Sequence, residues 1–127
     1  MHDPYDLERF VIAQDPVFEQ VRAELRASRK RTHWMWFVFP QLKGLGHSPM
    51  AEKYAIASQE EAAAYLEHPI LGPRLRECTA LVNQIEDRSL DQIFGYPDDL
   101  KFRSSMTLFA QAATDNQVFK AALAKYP

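Results

Sequence analysis

Cysteine is nearly absent from this chain: Cys78 stands alone, so no internal disulfide can staple the fold. Neither Cys78 nor the four histidines occur in a CxxC or HxxxH spacing, so the usual signatures of a metal site are missing and no metal or cofactor is expected. Charge of one sign is lacking too. A formal net charge of -2 gives no whole-chain footprint for nucleic acid or a membrane surface, although local clusters fit inside a near-neutral total. Long hydrophobic runs are missing, since the longest, Trp34 to Pro40, is about a third of the ~20 residues a membrane span needs. The opening "MHDPYDLERF" is acidic and polar, with no apolar stretch of signal-peptide length, and a cytoplasmic location is expected. No Asn-Gly hairpin and no extended alternating stretch occurs, which argues against a sheet.

What is present suits one helical domain spanning residues 1–127. The length is enough to close one core, and 46% hydrophobic with 25% charged residues is an ordinary globular balance. There is no repeat, low-complexity block or long linker. Helix starts recur instead. Asp3-Pro4 and Asp15-Pro16 each read as a cap followed by a first-turn proline, ahead of Leu7/Phe10/Val11 and Phe18/Val21/Leu25. Ser48 before Pro49, Ser58 with Glu61, and Ser89 with Gln92 read as further caps, the last two as capping boxes. Pro69 and Gly72-Pro73 mark a joint before a stripe of Leu75, Thr79, Val82 and Ile85. Gly95 stops one helix, Asp98 or Asp99 opens the next, and Asp115 opens the last. The expectation is an all-α domain of about seven short helices.

The stretch "RTHWMWFVFPQLKGLG", residues 31–46, holds the densest chemistry. With no second strand to pair with, "WMWFVF" is expected to be a short buried helix. Helical spacing puts Trp34 with Val38 on one side and Trp36 with Pro40 on another, so both indoles cannot face the same core layer. One of them is then free to line a cavity and stack on a planar ligand, while a buried indole N–H needs an acceptor. His33 stands beside Lys30 and Arg31, and Gln41 and Lys43 follow; His33 is the candidate proton-transfer residue here. Lys30, Arg31 and Lys43 make the best local positive cluster, and helix C-terminal complementarity accounts for part of it. Gly44-Leu45-Gly46 before the Ser48-Pro49 start reads first as a tight turn and second as a place where backbone amides meet an anion.

"GYPDDLKFRSSMTLF" is the other block of interest. Asp98–Lys101 and Asp99–Arg103 are spaced as helical ion pairs, each stabilising by about 0.2–0.5 kcal/mol. Two successive serines, Ser104 and Ser105, offer nothing to an exposed ridge, so at least one is expected to face a neighbouring helix or a polar pocket. Asp98 is the preferred carboxylate for acid/base work, beside arginine and serine side chains able to orient a substrate.

The blocks "RFVIAQDPVF", "RKRTHWMWFVFPQLKGLG", "YAIASQEEAAAYLEHPILGPRLREC" and "IFGYPDDLKFRSSMTLF" together resemble the domain of unknown function 1810 family, from about Asp6 to Phe119. That resemblance implies a small bacterial all-α domain and brings no activity with it. The "calpastatin" label carried by some members implies little for this chain, because calpastatins are disordered, proline-rich inhibitors and this sequence is aromatic-rich. The composition of the two blocks is also similar in kind to the NADAR class of helical N-glycosidases acting on ADP-ribose, although no motif aligns residue by residue.

Two functional readings follow, and the sequence does not choose between turnover and binding. In one, a small nucleotide-like or ADP-ribose-like ligand stacks on Trp34 or Trp36. Lys30, Lys43 and Arg103 hold its phosphates, Gln41 and Ser104 add hydrogen bonds, and His33 or Asp98 moves a proton. In the other, the chain is a non-catalytic interaction module with the aromatic block as core. No membrane partner is expected, and no strong nucleic-acid signal is present. Both readings require residues 33–43 and 98–105 to meet.

Overall fold

The computed structural model describes residues 2–127. Among these residues there are nine helices and no strand: α1 (Glu8–Gln14), α2 (Phe18–Arg26), α3 (Met35–Val38), α4 (Pro49–Lys53), α5 (Gln59–Glu67), α6 (Leu71–Asn83), α7 (Leu90–Phe94), α8 (Asp98–Ala112) and α9 (Gln117–Lys125). The all-α expectation is met. The count exceeds seven because α3, α4 and α7 are one-turn helices of four or five residues. A lone parallel bridge joins Leu42 to Ile56, with Lys43 N–H on the Ile56 carbonyl and Ile56 N–H on the Gln41 carbonyl, both at 2.8 Å.

The three serine caps form as the sequence suggests. Ser48, Ser58 and Ser89 accept the N–H of Ala51, Glu61 and Gln92, and Ser89 with Gln92 closes a full capping box. The second box is half-made, because the Glu61 carboxylate takes the N–H of Ala57 instead, at 3.1 Å, and pairs with Arg9 at 2.9 Å. The two Asp-Pro starts differ from expectation. Asp6 adopts a left-handed conformation (φ 51°), which breaks any helix from Pro4; Asp3 instead reaches forward to the N–H groups of Leu7 and Glu8. Asp15 is drawn away from capping by Arg74 on α6, 2.8 Å away, and α2 begins at Phe18 without a side-chain cap. The joint at residues 69–73 is shorter than expected. Gly72 and Pro73 lie inside the first turn of α6, where a proline has no helical hydrogen bond to lose, and His68 Nδ1 accepts the N–H of Ile70. Gly72 is required there: a Cβ would sit 2.0 Å from the Leu66 carbonyl oxygen.

One apolar core draws residues from every helix except α4. α8 is its spine, packed against α5, α7 and α9, with α6 bridging α5, α9 and α2. Phe39, Phe94 and Phe102 lock together at its centre, with ring centroids 5.0–5.9 Å apart. Burial on that scale, at roughly 1.5–3 kcal/mol for each large side chain, drives the assembly of helices too short to persist alone. No described helix is long and apolar enough to cross a membrane.

Candidate functional site

The start of the aromatic block is held by Glu24, a buried carboxylate on α2 (3% exposed). Its oxygens accept five hydrogen bonds: Arg31 N–H (2.6 Å), Thr32 N–H (3.0 Å), Thr32 Oγ1–H (2.6 Å), Trp34 Nε1–H (3.0 Å) and Gln20 Nε2–H (3.0 Å). Burial by itself pushes the carboxyl up. The Thr32 hydroxyl and the Arg31 and Thr32 amides outweigh it and hold the carboxyl at about 2. A carboxylate that gathers five donors makes this loop a fixed mount for the segment that follows.

The mount sends the two tryptophans apart, as the helical spacing demands. Trp34 is fully buried (1% exposed), its N–H satisfied by Glu24. Trp36 is half-buried, with Lys101 Nζ 5.4 Å from its ring centroid. Asp98 joins the two halves. Its oxygens lie 2.9 Å from Lys30 Nζ and 3.6 Å from Lys101 Nζ, and Lys30 Nζ in turn stands 5.2 Å from the Trp34 ring centroid. Residues 30–39 and 98–102 therefore do meet, but the Phe39–Phe94–Phe102 contact fills their centre, and open space survives only around the margin.

That space is organised by the loop from Gln41 to Ser48. On one side a crevice of about 20 Å³ lies between Trp36, Gln41, Gly44, Gly46 and Tyr54. A separate hollow of about 500 Å³ borders the same two glycines, bounded by Lys43, His47, Glu52 and Ala55. Gly44 takes φ 98°, a conformation glycine adopts without strain, which lets the wall turn outward. Among the described residues, the amides of Gly44 to His47 donate to no protein acceptor. On the other side, Leu42 and Leu45 face Ser104 and Leu108 across about 230 Å³.

The nine residues singled out by sequence thus separate into groups. Lys30, Trp34, Trp36 and Asp98 form one linked cluster; Gln41 and Lys43 belong to the adjoining loop, and Ser104 to its far side. Trp34 has no open face on which a ligand can stack, and Trp36 is half-buried beside the crevice of about 20 Å³. Asp98 is engaged by two ammonium groups rather than poised beside a substrate. His33 is exposed and lines none of these hollows. Arg103 lies elsewhere: its guanidinium donates to the Tyr126 carbonyl instead of pairing with Asp99, because α9 returns the chain end to α8. Of the serine pair, Ser105 is the fully buried member, and its hydroxyl has no partner.

Sequence reasoning passed over the most connected polar groups. Glu24 reads as one more charged residue on an amphipathic helix. Arg9 reads as solvated, yet its guanidinium donates to the carbonyls of Tyr5, Asp6, Lys53 and Ala55 and to Glu61. Buried Gln14 donates to the Phe37 carbonyl at 2.6 Å, tying α1 to α3. The one available signal was position: Glu24 falls beside Leu25 on the stripe set by Val21. Among the described residues no three His, Cys, Asp or Glu side chains are grouped to hold a metal ion.

Comparison with known proteins agrees with the fold and adds no chemistry. The crystal structure of the conserved hypothetical protein Rv1873 from Mycobacterium tuberculosis is similar to this chain, at 67% identity and a TM-score of 0.96, over 98% of this chain and 89% of that one. No curated protein matches. The likeness in kind to the N-glycosidase class has no counterpart in these findings. The family model described as "Protein of unknown function (DUF1810)" matches residues 4–127, nearly the whole sequence, and the chain belongs to that family.

Proposed function

We propose that the protein binds a small nucleotide-like ligand in the hollow walled by Lys43, Gly44, Gly46 and His47. The ligand's planar end lies toward Trp36, and its phosphoryl end lies against Lys43 and the neighbouring amides. One observation carries this reading: the loop links a half-buried indole to a roomy hollow bearing Lys43 and His47. An aromatic surface and a cation a few residues apart are the two elements such a ligand needs, because stacking serves the base and charge-assisted hydrogen bonds serve the phosphate. The volume of about 500 Å³ falls in the range of small-molecule sites. The proposal is one of binding. Asp98 is taken up by Lys30 and Lys101, and His33 stands away from the hollow, so the geometry offers turnover no comparable support.

The test is calorimetric titration with ADP, AMP and ADP-ribose, alongside Lys43→Ala and Trp36→Leu. Binding by the wild type that weakens about tenfold or more in each variant supports the reading. No heat with any of the three ligands overturns it. A second reading, a protein-interaction surface, is favoured by the exposure of Leu42 (38%) and Leu45 (58%) on the far side of the same loop. Under that reading the Lys43 and Trp36 variants change nothing measurable.

A further inference from the structure

The arginines of this chain fall into two sets. Arg9, Arg22 and Arg74 are paired with carboxylates, Arg103 is bonded to the Tyr126 carbonyl, and Arg76 lies over the Phe119 ring. Arg26, Arg29, Arg31 and Arg88 have no such partner among the described residues, and all four are exposed. Two of them, Arg29 and Arg88, far apart in sequence, line a single hollow of about 360 Å³ with Lys30, Asp91, Gln92 and Gly95. Asp91 contributes one negative charge, and Asp98 neutralises Lys30 from behind. The wall remains positive in a chain whose formal charge is -2, so this is a local concentration and not the general character of the surface.

Both walls are held before any ligand arrives. The Arg29 amide bonds the Glu24 carbonyl at 3.1 Å, the Lys30 amide bonds the Ile93 carbonyl at 2.8 Å, and the Arg31 amide bonds the Glu24 carboxylate at 2.6 Å. Three consecutive pinned amides fix the backbone that carries Arg29. Across the hollow, the Ser89–Gln92 capping box and the bond from Gly95 N–H to the Asp91 carbonyl, at 2.8 Å, fix the turn beside Arg88. Rigid walls reduce the ordering that binding requires, and a guanidinium fork matches paired phosphate oxygens better than an ammonium does.

We infer that this hollow is a second site, for the phosphate of a small phosphorylated metabolite, gripped between Arg29 and Arg88. It is separate from the hollow at residues 43–47 and stands whether or not a nucleotide binds there.

The experiment is titration of the full chain at low ionic strength with inorganic phosphate, pyrophosphate and glycerol phosphate. The variants are Arg29→Ala, Arg88→Ala, Arg29→Lys, Arg31→Ala and Lys43→Ala. Arg29→Ala and Arg88→Ala should each weaken binding about tenfold, and Arg29→Lys should recover only part of that loss. Arg31→Ala should stay within about twofold of the wild type. Binding of glycerol phosphate at least as tight as that of inorganic phosphate supports a metabolite, and clearly tighter binding of inorganic phosphate overturns that assignment. Equal weakening in Arg31→Ala overturns the site in favour of diffuse charge, and weakening in Lys43→Ala alone overturns it in favour of the other hollow. No heat with any of the three probes overturns it outright. All four substituted side chains are exposed, so the variants are expected to fold, and circular dichroism checks this.

Discussion

Replacing Glu24 with glutamine keeps the shape of the side chain and removes its charge. The amide oxygen can still face the three donors now on one carboxylate oxygen: the Arg31 and Thr32 amides and the Trp34 indole. The new NH2 group then confronts the Thr32 hydroxyl and the Gln20 amide, both donors to the other oxygen at present. The hydroxyl can rotate and the Gln20 amide can flip, so the loss is chiefly the weakening of charge-assisted bonds. At about 0.5–1 kcal/mol for each of the five bonds, the sum is roughly 2.5–5 kcal/mol. The acid–base argument gives the same size. A carboxyl held at about 2 in the fold against an ordinary 4.5 corresponds to roughly 3 kcal/mol. Because the folded value is depressed, that stability is complete above about pH 4.5 and is lost as the pH falls toward 2. Urea unfolding followed by circular dichroism should therefore show a gap of about 3 kcal/mol between wild type and Glu24→Gln at pH 7, narrowing steadily below pH 4.5. Other carboxylates contribute to the acid sensitivity of both proteins, and only the difference between them reports Glu24. A gap below about 0.5 kcal/mol at pH 7, or one that does not narrow in acid, would refute the role given to this residue.

Three further outcomes are expected. Gly72→Ala forces a methyl group into the Leu66 carbonyl, 2.0 Å from the Cβ position, and should destabilise by about 1–3 kcal/mol or more, read as a lower urea midpoint. Ser105→Ala removes a buried hydroxyl without a partner and should leave stability unchanged or raise it by up to about 1 kcal/mol, where a loss of that size would mean the hydroxyl is satisfied. Cys78, fully buried, has its thiol pushed up to about 12 by burial first and by Glu77 second, so a thiol reagent should label it at pH 8 only as fast as the chain unfolds.

What could be read from sequence was local. The serine caps depend on residues three apart, and the separation of Trp34 from Trp36 depends on helical pitch alone, so both were accessible without knowing any neighbour. The ion pair from Asp98 to Lys101 is local for the same reason. Asp15 and Arg103 were misassigned because each has a stronger partner from a distant segment, Arg74 on α6 and the Tyr126 carbonyl. Glu24 escaped notice because four of its donors lie beyond the end of its own helix, in a loop whose course no periodicity describes. The same holds for the hollows, which are made where separate segments fail to fill space.

The bridge between Leu42 and Ile56 separates two kinds of change. Beyond it Arg9 anchors the return path at the carbonyls of Lys53 and Ala55, so only the short rim from Gly44 to His47 hangs free of the helical framework. Exchanges at Leu45 or His47 can therefore reshape the mouth of the cavity while every helix keeps its register. Gly44, at φ 98°, and Gly46, where a Cβ would stand 2.8 Å from the Ala51 side chain, hold the course of the rim itself.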